Sequence, residues 1–376
     1  MPEAGRQRMP AEDRPRIVFW GTPEFALPVL EALCANYNVI LCVTKADKPK
    51  GRGGRVTKSP VRILAEEKQI PVLAPESIRT DEFFGELAAH EADFYVTCAY
   101  GKIIPGRILE LPRMGCVNVH ASLLPKLRGS APIWRAIMDG EKETGVTTMM
   151  TDAGMDTGDI LLAKKLEIGE NMTCGELSDA LSVMGAGLIV ETIDGLLEGR
   201  VKRIPQDHEA ATFAPPIQKE EGLIDWTRDA RSIHDLVRGM DPTPGAFSFL
   251  HDAESGKVEK IKIWKTALPC ESADAAVDIP GGGPGDAIGG KPGGVLKIGK
   301  NRVAVICGGS QVLSELPALQ ADSELPGLQA DSELQEPSGR PELLELLEIQ
   351  AENSKRMAVA AFLNGHELKG AFRTEG

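Results

Sequence analysis

Hydrophobic and polar positions follow two different rhythms along this chain. In the first part, short β-branched and aromatic runs alternate with stretches of helical spacing; the runs are RIVFW (16–20), NVILCV (38–43), DFYVTCA (93–99) and CVNVH (116–120). Such alternation is typical of a parallel sheet with crossover helices. We therefore predict an α/β domain over residues 16–205, with a doubly wound, mostly parallel open sheet and ligands at the carboxyl ends of its strands.

Helix signals lie between the predicted strands. Gly21 turns the chain after the first strand, and Pro23 suits the first turn of a helix through FALPVLEAL. A longer helix is expected to begin near Thr173, because Thr173 and Glu176 have the spacing of a capping box and apolar residues then recur at helical spacing. Gly199 is expected to end this helix.

Beyond residue 205 the pattern changes to short strands separated by glycine and proline clusters; the runs are KIKIWK (260–265), GGVLKI (293–298) and RVAVICG (302–308). This pattern predicts a second, smaller domain over 206–376, a β-barrel of the OB-like kind. It contains a short repeat, SELPALQAD followed by SELPGLQAD. The prolines and acidic residues of this repeat disfavour a helix or core strand, so we interpret 314–341 as a solvated insertion. Residues 1–15 are predicted to be a disordered tail.

The composition fits a two-domain protein of a reducing compartment. A chain of 376 residues with 42% hydrophobic composition can bury a large core. Its seven cysteines are scattered without a CxxC pair, and no histidine has metal-ligand spacing, so no metal is expected. No apolar run approaches the roughly 20 residues of a membrane span. We therefore expect a cytoplasmic monomer without a membrane partner.

The charge of the chain is unevenly distributed. The net charge of −13 argues against a nucleic-acid partner, but residues 314–352 carry ten acidic residues against one arginine. Residues 45–62, in contrast, hold seven lysines and arginines against one aspartate. A basic, glycine-rich segment is what a loop in contact with phosphates is expected to have.

The side chains that could take part in a reaction lie at the end of one predicted strand and in one later turn. Alternate residues of a strand share a face, so Asn118 and His120 point the same way at the carboxyl end of theirs. The run TTMMTDAGMDTGDILL places three aspartates in a turn between two strand-like segments: Asp152, Asp156 and Asp159. Taken singly, such a histidine commonly satisfies backbone groups and such an aspartate commonly stabilises its own turn.

The ordered set FWGTPEFALPVL, ADKPKGRGG, AYGKIIP, NVHASLLP, RGSAPIWRAI, DAGMDTGD and KEEGLIDW resembles the folate-dependent formyltransferases. The resemblance is dense over the first 190 residues and thinner beyond Asp241. It implies transfer of the formyl group of 10-formyltetrahydrofolate. The basic segment and second domain favour members whose acceptor is the α-amino group of methionyl initiator tRNA, because a small acceptor requires neither.

The resemblance also implies roles for individual residues. The family's catalytic Asn, His and Asp match Asn118, His120 and Asp156. Its folate-contacting run matches Ser122, Leu123, Leu124 and Pro125. The matched functional arginine of its tRNA-facing loop is Arg52, and the tRNA contacts expected beside it are Lys50, Arg55 and Lys219.

Two residues depart from the family pattern. Trp20 stands where related sequences tend to carry a smaller residue, so it is expected to narrow the nearby pocket. Pro216 stands where a lysine is expected, which removes one phosphate contact.

The implied roles are chemically coherent. An α-amine with a pKa of about 7.7 to 8.0 is partly neutral near pH 7, so it needs positioning more than prior deprotonation. Attack on the formyl carbon places negative charge on an oxygen that the Asn118 amide and His120 can stabilise. An imidazole can carry the proton, and a nearby Asp156 would orient the ring and favour its charged form.

Several alternatives stay open at this point. The acceptor can be a glycinamide ribonucleotide or an amino sugar nucleotide, or water in a hydrolase. A catalytically silent RNA-binding protein would not need the Asn118, His120 and Asp156 set. Dinucleotide binding is disfavoured, because GTPEFA has one glycine where the fingerprint requires G-x-G-x-x-G.

Overall fold

The computed structural model describes residues 14–50, 55–252, 255–268, 291–309, 342–366, 368 and 370–375. The predicted insertion 314–341, Arg52 and nearly all of the predicted tail 1–15 lie outside these residues. The chain divides into two compact units: unit 1 comprises Met1–Ala136 with Glu141–Ile217, and unit 2 comprises Ile137–Gly140 with Gln218–Gly376. The domain boundary placed after residue 205 from the sequence therefore falls inside unit 1.

Unit 1 contains eleven strands, six α-helices and a short 3₁₀ helix, Glu24–Ala26, among the described residues. The strands are β1 (Arg16–Gly21), β2 (Asn38–Val43), β3 (Lys48–Lys50), β4 (Arg55–Thr57), β5 (Val72–Leu73), β6 (Phe94–Cys98), β7 (Cys116–His120), β8 (Arg128–Gly129), β9 (Glu143–Met150), β10 (Ile160–Glu167) and β11 (Phe213–Ala214). The helices are α1 (Leu27–Asn36), α2 (Pro60–Glu67), α3 (Asp81–Ala88), α4 (Gly106–Leu109), α5 (Pro132–Met138, whose end belongs to unit 2) and α6 (Cys174–Leu197).

The main sheet of unit 1 has the order β10-β9-β7-β6-β1-β2-β5. The strands β5, β2, β1, β6 and β7 are parallel, whereas β9 and β10 are antiparallel additions at one edge. The predicted open, mostly parallel α/β sheet is thus confirmed. The strand order reverses between β1 and β6, and in such sheets ligands bind beside the carboxyl ends of the strands at this point.

The long helix α6 begins and ends as the sequence predicts. The Thr173 side chain accepts from the Glu176 backbone N–H, and the Glu176 carboxylate accepts from the Thr173 N–H, which completes the capping box. Gly199, with φ of +68°, follows the helix end. Of the described helices, α6 alone has the length and apolar composition of a membrane span, although half of its most apolar window is buried within the fold. The absence of a membrane partner stays a prediction.

Trp20 is part of the core of unit 1. Its side chain is fully buried, and its ring packs edge-on against Phe83 and Tyr100 and at a tilt against Tyr95. Burial of such a ring stabilises the fold by about 2 to 3 kcal/mol. The extra bulk noted in the sequence is therefore accommodated by the core beneath α3.

Unit 2 contains a curled antiparallel sheet. Its strands are β12 (Ala246–His251), β13 (Val258–Ala267), β14 (Val295–Gly299), β15 (Arg302–Cys307), β16 (Glu342–Ala351), β17 (Met357–Ala358) and β18 (Ala371–Arg373), and its helices are α7 (Ala230–Gly239) and α8 (Val359–Phe362). The order is β14-β15-β16-β13-β12-β18, with β17 beside β16. A bridge between Gly294 and Ala371 joins the two ends of this path. The sheet therefore curls back on itself, in agreement with the predicted barrel.

Candidate active site

Asn118 lies on β7, next to β6. Thr97 is its register partner on β6, and the Thr97 hydroxyl donates to Asn118 Oδ1 over 2.7 Å. This bond fixes which way the amide points, because it occupies the acceptor end. Among the described residues, Asn118 Nδ2 makes no hydrogen bond. The side chain therefore presents a neutral N–H donor to a ligand.

His120 ends β7 and is almost fully buried, with 6% of its side chain exposed. Its Nε2 lies 3.0 Å from the Leu127 carbonyl oxygen. Because a carbonyl oxygen can only accept, Nε2 carries the proton and Nδ1 is the nitrogen that can gain one. The Leu127 carbonyl therefore sets both the orientation and the tautomer of the ring.

Asp156 lies in the loop between β9 and β10 and faces His120. Its Oδ1 is 3.7 Å from His120 Nδ1, and its Oδ2 accepts from the Gly129 backbone N–H over 2.8 Å. The longer distance exceeds a hydrogen bond, so the two groups form an ion pair only when the ring is protonated. A proton gained at Nδ1 would place an imidazolium directly beside this carboxylate.

The other two aspartates of the turn do not face His120. The Asp152 carboxylate accepts from the Thr157 hydroxyl at 2.7 Å and from the Gly154 N–H at 3.0 Å, so it stabilises the loop itself. Asp159 contributes its backbone oxygen, which accepts from Met150 N. Asp152 therefore stabilises the loop by hydrogen bonds within it, whereas Asp156 faces His120.

The run from Ser122 to Pro125 follows β7 and is held in a fixed shape. The buried Ser122 hydroxyl donates to the Lys126 carbonyl over 2.6 Å. The Thr147 hydroxyl donates to Ser122 O at 2.7 Å and accepts from Leu124 N at 3.2 Å, and the Leu124–Pro125 peptide is cis. Leu123 and Pro125 are the half-buried side chains of this run.

The basic segment forms a two-stranded hairpin of β3 and β4, which contains the backbone of Lys50 and Arg55. Among the side chains of the segment that the structure describes, Arg62 pairs with Asp47 at 2.6 Å and with Glu66, and Lys58 also pairs with Glu66.

Lys219 and Pro216, the two positions singled out between residues 205 and 220, are both exposed. Lys219 starts a short 3₁₀ helix, Lys219–Gly222, in unit 2 and is exposed. Pro216, which replaces the expected lysine, is exposed in unit 1.

Thiolate chemistry is not available on the two strands of the site. Cys98 and Cys116 are buried, and burial raises both thiol pKa values, that of Cys116 to about 12. In the portion of the chain that the structure describes, no three His, Cys, Asp or Glu side chains are arranged to hold a metal ion.

Two cavities lie apart from these residues. One of about 340 Å³ is lined by residues of β10 and of 200–204, and one of about 400 Å³ is lined by Arg79, Asp81, Ile103, Pro105 and Arg107. Neither is lined by Asn118, His120 or Asp156. The candidate site is defined by the side-chain chemistry at the carboxyl end of β7, since concavity alone does not identify a reaction.

Sequence reasoning missed several residues that support the site. Thr97 orients Asn118, the Leu127 carbonyl fixes His120, and Gly129 and Gln206 contact Asp156. Only Arg128-Gly129 carried any signal, as part of the RGSAP string. The others contact the site through the fold and have no local signature.

Comparison with known proteins identifies the relatives of this chain. A family model described as "Formyl transferase" matches residues 15–193, and one described as "Formyl transferase, C-terminal domain" matches residues 216–367. The methionyl-tRNA formyltransferase of Acetivibrio thermocellus is 41% identical over 354 residues, which cover 94% of this chain and 97% of that protein. The methionyl-tRNA formyltransferase of Ruminiclostridium cellulolyticum is 48% identical over 254 residues, which cover 67% of this chain and 80% of that protein.

Solved structures share the fold at low identity. An N-formyltransferase from Helicobacter canadensis, in complex with folinic acid and dTDP-3-aminofucose, has a TM-score of 0.55 at 18% identity, covering 78% of this chain and 95% of that one. HypX from Aquifex aeolicus, in complex with tetrahydrofolic acid, has a TM-score of 0.53 at 16% identity and covers 93% of this chain. This chain spans about half (47%) of the length of HypX.

Proposed function

This chain belongs to the methionyl-tRNA formyltransferases, and on that basis we propose that Asn118, His120 and Asp156 carry out its formyl transfer. The proposed reaction moves the formyl group of 10-formyltetrahydrofolate to the α-amino group of methionyl initiator tRNA. One observation carries the proposal: Asp156 Oδ1 lies 3.7 Å from His120 Nδ1. His120 is on β7, the strand that also contains Asn118.

The first step forms a bond between the amine nitrogen and the formyl carbon. The carbonyl electron pair moves onto oxygen as this bond forms. The Asn118 Nδ2 group can donate to that oxygen, because Thr97 occupies the opposite end of the amide. Donors that are already oriented in this way lower such barriers by about 3 to 4 kcal/mol.

The second step breaks the bond between the formyl carbon and the folate nitrogen, which takes the electron pair and a proton. The amine must lose one proton, so the balance closes if one group carries the proton between the two nitrogens. His120 Nδ1 is suited to this role, since Nε2 is committed to the Leu127 carbonyl. The carboxylate of Asp156 stabilises the imidazolium formed between the two transfers.

The proposal assigns the remaining contacts as follows. The folate lies against the run of Ser122, Leu123, Leu124 and Pro125, which follows His120 closely in the chain. The Thr147 hydroxyl holds this run by hydrogen bonds to the Ser122 and Leu124 backbone. The tRNA contacts Arg52, Lys50 and Arg55 of the basic segment and Lys219 of unit 2. The support for these assignments is the match to the family's motifs together with the exposure of Lys219.

The same proposal places the enzyme in the cytoplasm, where charged tRNA is used in translation, and describes it as a monomer. Sedimentation equilibrium at micromolar concentration measures the second point. A mass twice that of the 40.3 kDa chain would contradict it.

The test compares three acceptors with 10-formyltetrahydrofolate as donor. We expect charged methionyl initiator tRNA to be used with a kcat/KM about 100-fold or more above glycinamide ribonucleotide or water, since it alone engages the basic segment. Faster use of either alternative would overturn the assigned acceptor.

Variants of the histidines test the assigned centre. His120→Ala is expected to lower kcat by about 10²- to 10⁴-fold. His90→Ala, in the segment between α3 and β6, is the matched control and should retain its rate. A His120→Ala enzyme as fast as this control would remove His120 from the mechanism.

A further inference from the structure

A buried side chain, that of Gln206, forms a hydrogen bond with the backbone of Asp156. Gln206 is not part of any motif that carries the family resemblance. Gln206 follows the stretch that pairs with β10, and 7% of it is exposed. Its Nε2 donates to the Asp156 carbonyl over 2.9 Å and to the Gly158 carbonyl over 2.7 Å. One amide group thus uses both of its N–H donors on the two ends of a three-residue segment.

The other end of the same amide is also occupied. Gln206 Oε1 accepts from Arg128 Nε at 3.1 Å and from Arg128 Nη2 at 2.7 Å. Arg128 is buried, with 4% exposed, and its guanidinium also lies 3.3 Å from His208 Nδ1. Because a guanidinium only donates, it forces the Gln206 oxygen to face Arg128 and the NH₂ group to face the loop.

The segment held in this way needs external support. Asp156 has φ of +53°, in the left-handed region that residues other than glycine rarely adopt. Gly158 has no room for a side chain, since a Cβ there would lie 1.9 Å from the Met150 carbonyl oxygen. A backbone in this region persists only where its surroundings hold it, and Gln206 supplies two hydrogen bonds within three residues.

The chain of contacts leads directly to the reacting pair. Arg128 holds Gln206, Gln206 holds the Asp156 backbone, and Gly129, the residue after Arg128, donates its N–H to Asp156 Oδ2 over 2.8 Å. The backbone and the carboxylate of Asp156 are therefore fixed from the same short strand, β8. These two attachments determine where Oδ1 lies relative to His120 Nδ1.

We propose that Gln206 is a positioning residue of the transfer reaction, which sets the distance between Asp156 and His120 by holding the Asp156 backbone. The inference rests on the proposed function, because it acts through the role assigned there to Asp156. Gln206 itself is not expected to touch substrate.

The main test replaces Gln206 by glutamate in the full-length protein. Gln206→Glu keeps an oxygen for Arg128 and even strengthens that contact, but it turns an acceptor towards the Asp156 and Gly158 carbonyls. We expect kcat to fall about 10- to 100-fold, a loss of the size seen when the hydrogen-bond partner that orients a metal-ligating residue is removed. KM for both substrates should stay within about two-fold of wild type, since substrate contacts are untouched.

A second variant separates positioning from folding. Gln206→Met removes the donors and also the partner of Arg128, so it should lower kcat similarly and lower the unfolding midpoint as well. The matched control is Tyr37→Phe, at the residue before β2. It removes a buried hydroxyl that lies 3.0 Å from the Val190 carbonyl oxygen, and it should leave kcat unchanged. A wild-type kcat for Gln206→Glu would overturn the inference.

A double-mutant comparison shows whether Gln206 acts through Asp156. With the Asp156→Asn enzyme as reference, adding Gln206→Glu should change the residual single-turnover rate by less than about three-fold, because the group being positioned is already lost. A full 10- to 100-fold drop in that background would also overturn the inference. If Asp156→Asn alone keeps the wild-type rate, the proposed function fails at Asp156 itself, a result distinguishable from failure at Gln206 only.

Discussion

The replacement of Asp156 by asparagine tests the electrostatic core of the site. The new side chain would have the same shape and keep an oxygen for the Gly129 N–H, so the loop contact at 2.8 Å can persist. Its amide nitrogen would then face His120 Nδ1 and donate to it. The substitution therefore removes the negative charge and also stabilises the unprotonated ring, and both effects oppose proton uptake at Nδ1.

The size of the effect follows from the distance. Two unit charges 3.7 Å apart attract by about 4.5 kcal/mol at an effective dielectric constant of about 20. That value suits this pair, since 6% of the His120 side chain and 18% of the Asp156 side chain are exposed. If the ring is charged in the transition state, the loss corresponds to about three powers of ten in rate.

The assay is a single turnover with enzyme in excess over charged tRNA and with saturating 10-formyltetrahydrofolate, so that product release does not limit the rate. Asp152→Asn is the matched control, because its oxygen can keep the contacts with Thr157 and Gly154 and it does not face His120. We expect the control to stay within about three-fold of wild type and Asp156→Asn to fall about 10³-fold. Equal rates for the two variants would refute the charge-pair reasoning.

Three further outcomes are expected. Thr97→Val should lower kcat about ten-fold by releasing the Asn118 amide, whereas an unchanged steady-state kcat would show that the amide does not need this support. Arg52→Ala should reduce the slope of log KM for tRNA against log salt by about 0.9, and an unaltered slope would remove Arg52 from the interface. Burial raises the thiol pKa of Cys116 to about 12, so iodoacetamide at pH 8 should label it only after unfolding, while the half-buried Cys34 reacts slowly in the folded protein. A Cys116 adduct detected by mass spectrometry in folded protein would contradict its burial.

Local signals were sufficient to predict the bounds of two strands of the parallel sheet. The bounds of β2 and β7 coincide with the runs NVILCV and CVNVH, because β-branched residues in a central parallel strand favour the same conformation that the sheet requires. The capping box at Thr173 is likewise a contact among neighbours in the chain, so the start of α6 is readable from four residues.

Local signals failed where the partners of a segment lie far away. The run ELLELLEIQA has leucines at spacings that also suit a helix, yet it forms β16 between β13 and β15. Leu344 and Leu346 are buried and lie two residues apart, as on one face of a strand. Ile349 is also buried, and the alternation shifts by one residue before it. Pairing with two neighbouring strands overrides the preference of the isolated segment, and no short window of sequence contains those neighbours.

The sequence by itself determined the alternating α/β pattern, the change of pattern into a second β-rich domain, and the shared face of Asn118 and His120, since each depends on residues close together in the chain. The position of Asp156 was implied only by resemblance. The tertiary structure decided three contacts: the approach of Asp156 to His120, the hydrogen bond by which Thr97 orients Asn118, and the hydrogen bond from Gln206 to the Asp156 backbone. These contacts join residues 21 to 50 positions apart, and only the packed sheet and its loops bring such distant groups within bonding distance.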